Sequence, residues 1–246
     1  GFTLFCLAAI FILNICNEEL GVANMIISVT NKQRRHALLA ALLFIVLAVL
    51  IGTNATWPAN MDEAVRSFMS SIQTSYGDVI MSIATFLGSP AMNLFYGILL
   101  AIVLLLADLK LPALWVFLTV VGGIVVTQII KVLVHRDRPL GHLLTDSGAS
   151  FPSQHVTAMW LTVFIMFLLV TPNISSTLVR LLTKWFLITL SLMTMLSRLY
   201  FSAHFLTDTI GAFLLAYVWV IFCASLYPAV ATFLKKKFWL FKDQEA

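Results

Sequence analysis

The sequence predicts an all-α, polytopic membrane protein: six transmembrane helices, with an amphipathic helical segment at the membrane surface between the first two. Two observations carry this reading. Of 246 residues, 61% are hydrophobic and only 11% charged, with a mean hydropathy of +0.99; a soluble domain is about half apolar and about a quarter charged. The apolar residues also fall in long unbroken runs. Lipid obliges every backbone polar group to be paired within a helix or a closed barrel, and a barrel would show short alternating segments instead. A soluble enzyme, a disordered chain and a secreted disulfide scaffold are thereby excluded. The cysteines Cys6, Cys16 and Cys223 sit singly in apolar stretches and read as packing residues.

The apolar runs lie near residues 37–53, 91–107, 112–130, 155–171, 179–197 and 206–227. Each is close to the length of about 20 residues that crosses about 30 Å of hydrocarbon. Between the first two, the stretch from Trp57 to Leu87 holds Asp62, Glu63, Arg66 and Asp78. Its apolar positions Met61, Val65, Phe68, Met69 and Ile72 recur at helical spacing, which predicts a helix lying on the membrane surface. The first fifteen residues are apolar too, but that run is short for a span, Asn14 interrupts its end, and no basic segment of a signal peptide precedes it. The expected organisation is an N-terminal apolar segment over 1–30, a six-helix membrane domain over 31–230 and a basic cytoplasmic tail over 231–246.

Charge then orients the chain. Lys32, Arg34, Arg35, Lys110, Arg180, Lys184, Lys235, Lys236, Lys237 and Lys242 all fall on one side of a six-span arrangement. The positive-inside rule makes that side, with both termini, cytoplasmic, and the Lys235–Lys237 run suits anionic headgroups. Arg66, Lys131, Arg136, Arg138 and Arg198 break the rule and fall on the outer side. No basic soluble module is present to bind nucleic acid.

The exceptions cluster in three stretches that end at the same face: Lys131 to Pro139, Phe151 to His155, and Ser197 to Asp208. Lys131, Arg138 and Arg198 are suited to surround a tetrahedral anion, the arginines by paired hydrogen bonds and the lysine as a point charge. Pro152 and Ser153 read as a helix start, whose free N–H groups favour phosphate. His204 and Asp208, four apart, share a helix face. A carboxylate on one imidazole nitrogen leaves the other free as a nucleophile, and His155 on a different helix can protonate the leaving alkoxide and later activate water. The chemistry indicated is two-step phosphoryl transfer through a phosphohistidine. Three nearby cations and the lack of a His-Glu-x-x-His or Cys pairing count against a metal site, so neither metal nor other cofactor is expected.

These stretches resemble the signature of the type-2 phosphatidic acid phosphatase superfamily: Lys-x6-Arg-Pro at Lys131, Arg138 and Pro139, then Pro-Ser-x-His at Pro152, Ser153 and His155, then Ser-Arg-x5-His-x3-Asp at Ser197, Arg198, His204 and Asp208. The resemblance covers residues 37–227. It implies a six-span lipid phosphatase of the bacterial plasma membrane, with its active site at the outer face. The implied substrate is a lipid phosphate such as phosphatidylglycerophosphate, phosphatidate or a polyprenyl diphosphate. Carried over by position, His204 is the nucleophile, Asp208 its partner and His155 the general acid, while Lys131, Arg138, Ser153, Gln154 and Arg198 hold the phosphate. Gln154 departs from the family pattern, which has Gly there. A positive φ or a close backbone approach to phosphate at that position would make Gln cost roughly 1 kcal/mol or more and crowd the site; a helical backbone would leave its amide available and let Gln add a donor. The alternatives are a lipid-phosphate binder or transporter without turnover, and a lipid phosphotransferase.

Elsewhere the expectations are plain. Arg136, His135 and His142 read as interfacial cations, with Asp137 as a local partner for a neighbouring arginine. Asp146 and Ser147 read as turn residues or as the entrance to the site. Trp160, Trp185 and Trp219 read as lipid-facing or interfacial anchors.

Overall fold

The computed structural model describes residues 27–141, 146–241 and 243–244. Cys6, Cys16, Asn14, His142, Lys242 and most of the 1–30 segment lie outside the described residues. Those described form eight α-helices and no strand: α1 Asn31–Gly52, α2 Thr56–Ser71, α3 Ser75–Leu87, α4 Pro90–Leu106, α5 Lys110–Val134, α6 Gln154–Ile165, α7 Thr177–Tyr200 and α8 Leu206–Lys237. α6 runs on through a π-helical turn, Met166–Val170, and a 3-10 turn, Thr171–Asn173.

Five of these helical stretches are long and apolar enough to cross a membrane, and α3 with α4 make a sixth if their 45° bend is counted within one span. The chain is an integral membrane protein. The boundaries follow local chemistry. Thr30 caps α1 in a reciprocal capping box with Gln33. The bend falls where Ser89 accepts from the N–H of Met92 and Pro90 opens α4, a pairing that ends one helix and starts the next.

The segment between the first and second spans is helical, as its spacing predicts, but in two pieces with different roles. Thr74 accepts from the N–H of Gly77 and starts α3 afresh. Tyr200 then pins that start to α7: its hydroxyl accepts from the N–H of Thr74 at 2.8 Å and donates toward Asp78 Oδ1 at 2.8 Å. α8 also runs past the predicted end, so Lys235, Lys236 and Lys237 form its last turn, where the helix dipole favours cations.

α6 is the central helix, packed against α4, α5, α7 and α8. Val156, Leu161 and Val163 are fully buried along it. A Cβ on Gly123 of α5 would lie 2.4 Å from the Leu161 side chain, so only glycine lets α5 approach α6 this closely. Trp160 is an exception to the expected lipid-facing tryptophans. It is buried, its indole N–H meets Met195 Sδ at 3.4 Å, and its ring packs on Phe164 and Phe213. Burial wins because its helix is enclosed on all sides. Trp185 is exposed, as expected; half-buried Trp219 donates to the Thr119 carbonyl.

Candidate active site

All three polar stretches meet at one end of the bundle. A pocket of about 270 Å³ is lined by Lys131 at the end of α5, Arg138 and residues 146–149 of the following loop, Gln154 and His155 at the start of α6, Arg198 at the end of α7, and His204 before α8; Gln128 completes it.

His204 is buried in the turn between α7 and α8, held by backbone bonds from the N–H groups of Ala203 and His204 to the Arg198 carbonyl. Its Nε2 faces the Arg138 guanidinium at 3.3 Å, and its Nδ1 lies 3.5 Å from Asp208 Oδ2. A guanidinium only donates, so this arrangement assigns the lone pair to Nε2 and the proton to Nδ1, toward Asp208. At 3.5 Å the Nδ1 contact is longer than a hydrogen bond, as is common before substrate arrives. Burial pushes the His204 imidazole down to about 4, against the opposing pull of Asp208, so the ring is neutral at pH 7.

Asp208 is fixed from several sides. As the third residue of α8 its Oδ2 accepts from the Phe205 N–H at 2.9 Å, and it lies in the first turn, where the dipole favours a negative charge. Its Oδ1 accepts from Arg136 at 2.7 Å. Arg136 also donates to Thr207 Oγ1 and to Asp62 Oδ2, both at 2.7 Å, and its guanidinium stacks 4.2 Å above the Phe205 ring. Asp62, from α2, accepts in turn from the Thr207 N–H at 2.9 Å and from its hydroxyl at 2.6 Å. The expectation of an interfacial Arg136 is therefore corrected. It is the hub of a buried ion network because two carboxylates from distant helices converge on it. Asp137, the expected local partner, is exposed, and Arg136 pairs past it.

The cations point inward. Lys131 Nζ donates to the carbonyls of Ala149 and Ser150 at 2.5 and 3.4 Å. Arg138 spans the carbonyls of Ser147, Gly148 and Ala203. Arg198 pairs with Asp146 at 2.6 Å, while its Nε and the Asp146 Oδ2 are buried without a hydrogen-bond partner among the described residues. Ser153 caps α6, yet its Oγ is likewise buried and unpartnered among the described residues, and its N–H reaches the Asp208 carbonyl at 3.2 Å. Gln154 is the first residue of α6 and has no positive φ, so the strained alternative does not apply. Phe151 seats this start on α8 at Gly211, where a Cβ would meet its ring at 2.4 Å.

The pocket thus combines two imidazoles, three cations and unspent donors beside a helix N-terminus, the makings of a phosphate site in a membrane bundle. Residues 112–231 match the family model described as PAP2 superfamily. In fold it is similar to a transmembrane PAP2-type phosphatidylglycerolphosphate phosphatase from Bacillus subtilis, with a TM-score of 0.68 and 22% identity, covering 79% of this chain and 96% of that one. No curated protein matches the chain in sequence.

Asp62 and Arg136 were missed as site residues by the sequence reasoning. The only signal available was that Arg136 lies within the outer-face cluster and Asp62 on the apolar-facing side of an amphipathic helix.

Proposed function

We propose that the protein is a membrane lipid phosphatase that hydrolyses a lipid phosphate monoester or diphosphate through a phosphohistidine on His204. The single observation that supports this most is the approach of a neutral, carboxylate-backed His204 to Arg138 within a pocket that His155, Lys131 and Arg198 also line. Phosphatidylglycerophosphate, phosphatidate and polyprenyl diphosphates are the candidate substrates. The headgroup sits in the pocket and the tail lies among the helices.

In the first step the Nε2 lone pair of His204 attacks phosphorus and the bond to the leaving oxygen breaks. His155, favoured as imidazolium by the bound phosphate charge, gives its proton to that oxygen. Asp208 stabilises the positive charge that develops on His204. Lys131, Arg138, Arg198, Ser153 and the amide of Gln154 hold the equatorial oxygens, where charge spreads in the transition state. In the second step the now neutral His155 takes a proton from water. The water oxygen bonds to phosphorus, the P–N bond breaks, and inorganic phosphate leaves with His204 restored. No step needs a metal. The positive-inside distribution of Lys and Arg supports an outward-facing pocket and cytoplasmic termini.

The alternative of a binder without turnover draws on strain or crowding at Gln154; the backbone there is helical, which speaks against strain, while the Gln154 side chain lines the pocket. The test is phosphate release from those three lipid classes in micelles. One or more should turn over, and His204→Ala should abolish release while the protein stays helical and monodisperse. Unchanged turnover in that variant would overturn the proposal.

A further inference from the structure

At the other end of the bundle lies a second cavity that the catalytic scheme does not use. It occupies about 240 Å³ between α5 and α8, walled by Leu111, Leu118, Phe222, Leu226 and Leu234. Two side chains lining it carry buried polar atoms with no hydrogen-bond partner among the described residues, Trp115 Nε1 and Tyr227 Oη, while the Thr119 hydroxyl meets the Cys223 thiol. Trp115 and Tyr227 are only 7% and 4% exposed. Hydrocarbon supplies no water to such groups, and each unpaired donor costs on the order of 1–3 kcal/mol. Two together, facing one cavity, favour an occupant that brings acceptor oxygens into an otherwise apolar slot.

Position and charge narrow the occupant. Trp115 is sixteen residues before Lys131 on α5, a separation of about 24 Å along the helix, so this slot and the catalytic pocket lie in opposite halves of the membrane. Leu114 lines the slot and also a neighbouring apolar groove of about 590 Å³ between α4 and α5, which Lys110 borders. At the slot's other edge, Leu234 is followed directly by Lys235, Lys236 and Lys237. Among the described residues the Lys110 ammonium pairs with Asp108 at the surface, at 3.2 Å, a contact that contributes little and can be exchanged.

We propose that the two grooves hold one diacyl phospholipid with an anionic headgroup, drawn from the leaflet opposite the catalytic pocket. One acyl chain lies in each groove, the ester carbonyls accept from Trp115 and Tyr227, and the phosphate rests among Lys110 and Lys235–Lys237. The site does not depend on the catalytic reading.

The experiment is native mass spectrometry of the whole protein from detergent after incubation with equimolar phosphatidylglycerol and phosphatidylcholine. The wild type should retain one phosphatidylglycerol in preference to phosphatidylcholine. The double variant Trp115→Phe, Tyr227→Phe keeps the apolar shape and removes two donors. It should lose retention about tenfold, the equivalent of roughly 1.4 kcal/mol. Leu226→Trp, which fills the slot from a lipid-facing position, should lose it as well. Arg138→Ala, altered only in the catalytic pocket, should retain the lipid as the wild type does. Loss of the lipid in Arg138→Ala would move it to the catalytic pocket and overturn the proposal. Equal retention of phosphatidylcholine, or undiminished retention in the double variant, would overturn it too.

Discussion

Arg136 donates to Asp208 Oδ1 at 2.7 Å, which leaves Oδ2, 3.5 Å from Nδ1, as the oxygen that faces His204. The same guanidinium is held by Asp62, buried on α2 at 2.7 Å. The orientation of the proposed nucleophile is therefore set from a helix that contributes nothing to the pocket lining.

From this network we expect Asp62→Asn to lower kcat by about 10- to 100-fold through loss of orientation, with KM nearly unchanged, because Asp62 touches no pocket atom. Arg136→Ala should do the same and also cost about 3–5 kcal/mol of stability, since it strands two buried carboxylates. Steady-state kinetics with thermal unfolding in detergent separates the effects. A rise in KM at constant kcat would place Arg136 and Asp62 on the substrate instead.

Burial of His204 has a pH signature. Its ring titrates near 4 when folded and near 6.5 when unfolded. Between those values the unfolded chain binds the extra proton, so stability falls as pH drops from about 6.5 to about 4, by about 3 kcal/mol in all. His204→Gln should flatten that slope. The acid limb of kcat/KM, corrected for the substrate's own ionisation near pH 6, should likewise lie near 4 in the wild type. Melting curves from pH 4 to pH 7 on both proteins provide the check.

Gln154 opens a helix without positive φ, so Gln154→Gly relieves no strain. Turnover of Gln154→Gly should stay within about fivefold of wild type, the scale of one hydrogen bond to the bound phosphate. A gain of several orders of magnitude would mean that Gln154 blocks the pocket.

Gly211 allows Phe151 to seat the start of α6 on α8. Gly211→Ala would force a Cβ to 2.4 Å from the Phe151 ring, costing about 1–3 kcal/mol as overpacking. It should displace Ser153 and His155 from His204. Activity should fall further than stability alone accounts for, measured below the melting transition.

Much of this is legible in the sequence. The apolar runs mark the spans because lipid admits little else, and the spacing of Lys131, Arg138, His155, Arg198 and His204 marks residues that do meet in one pocket. Asp62 was not legible as a partner. It lies 74 residues from Arg136 and 145 from Thr207, and periodicity carries no information about pairing over such distances. Arg136 looked interfacial because its nearest carboxylate in sequence is Asp137, which points to solvent, while the true partners come from α2 and α8. The break at Thr74 was visible only as a polar residue before an apolar run. What makes it a helix start is the Tyr200 hydroxyl, contributed from α7.

The central claim, covalent phosphorylation of His204, is open to one direct measurement. A lipid phosphate substrate is mixed with the protein, the reaction is stopped in alkali, which preserves a phosphorus–nitrogen bond, and the peptides are sequenced by mass spectrometry. The account predicts a phosphoryl group on the peptide carrying His204, formed within the first turnover and missing in His204→Gln. A phosphoryl group on any other residue, or turnover in His204→Gln at the wild-type rate, would contradict it.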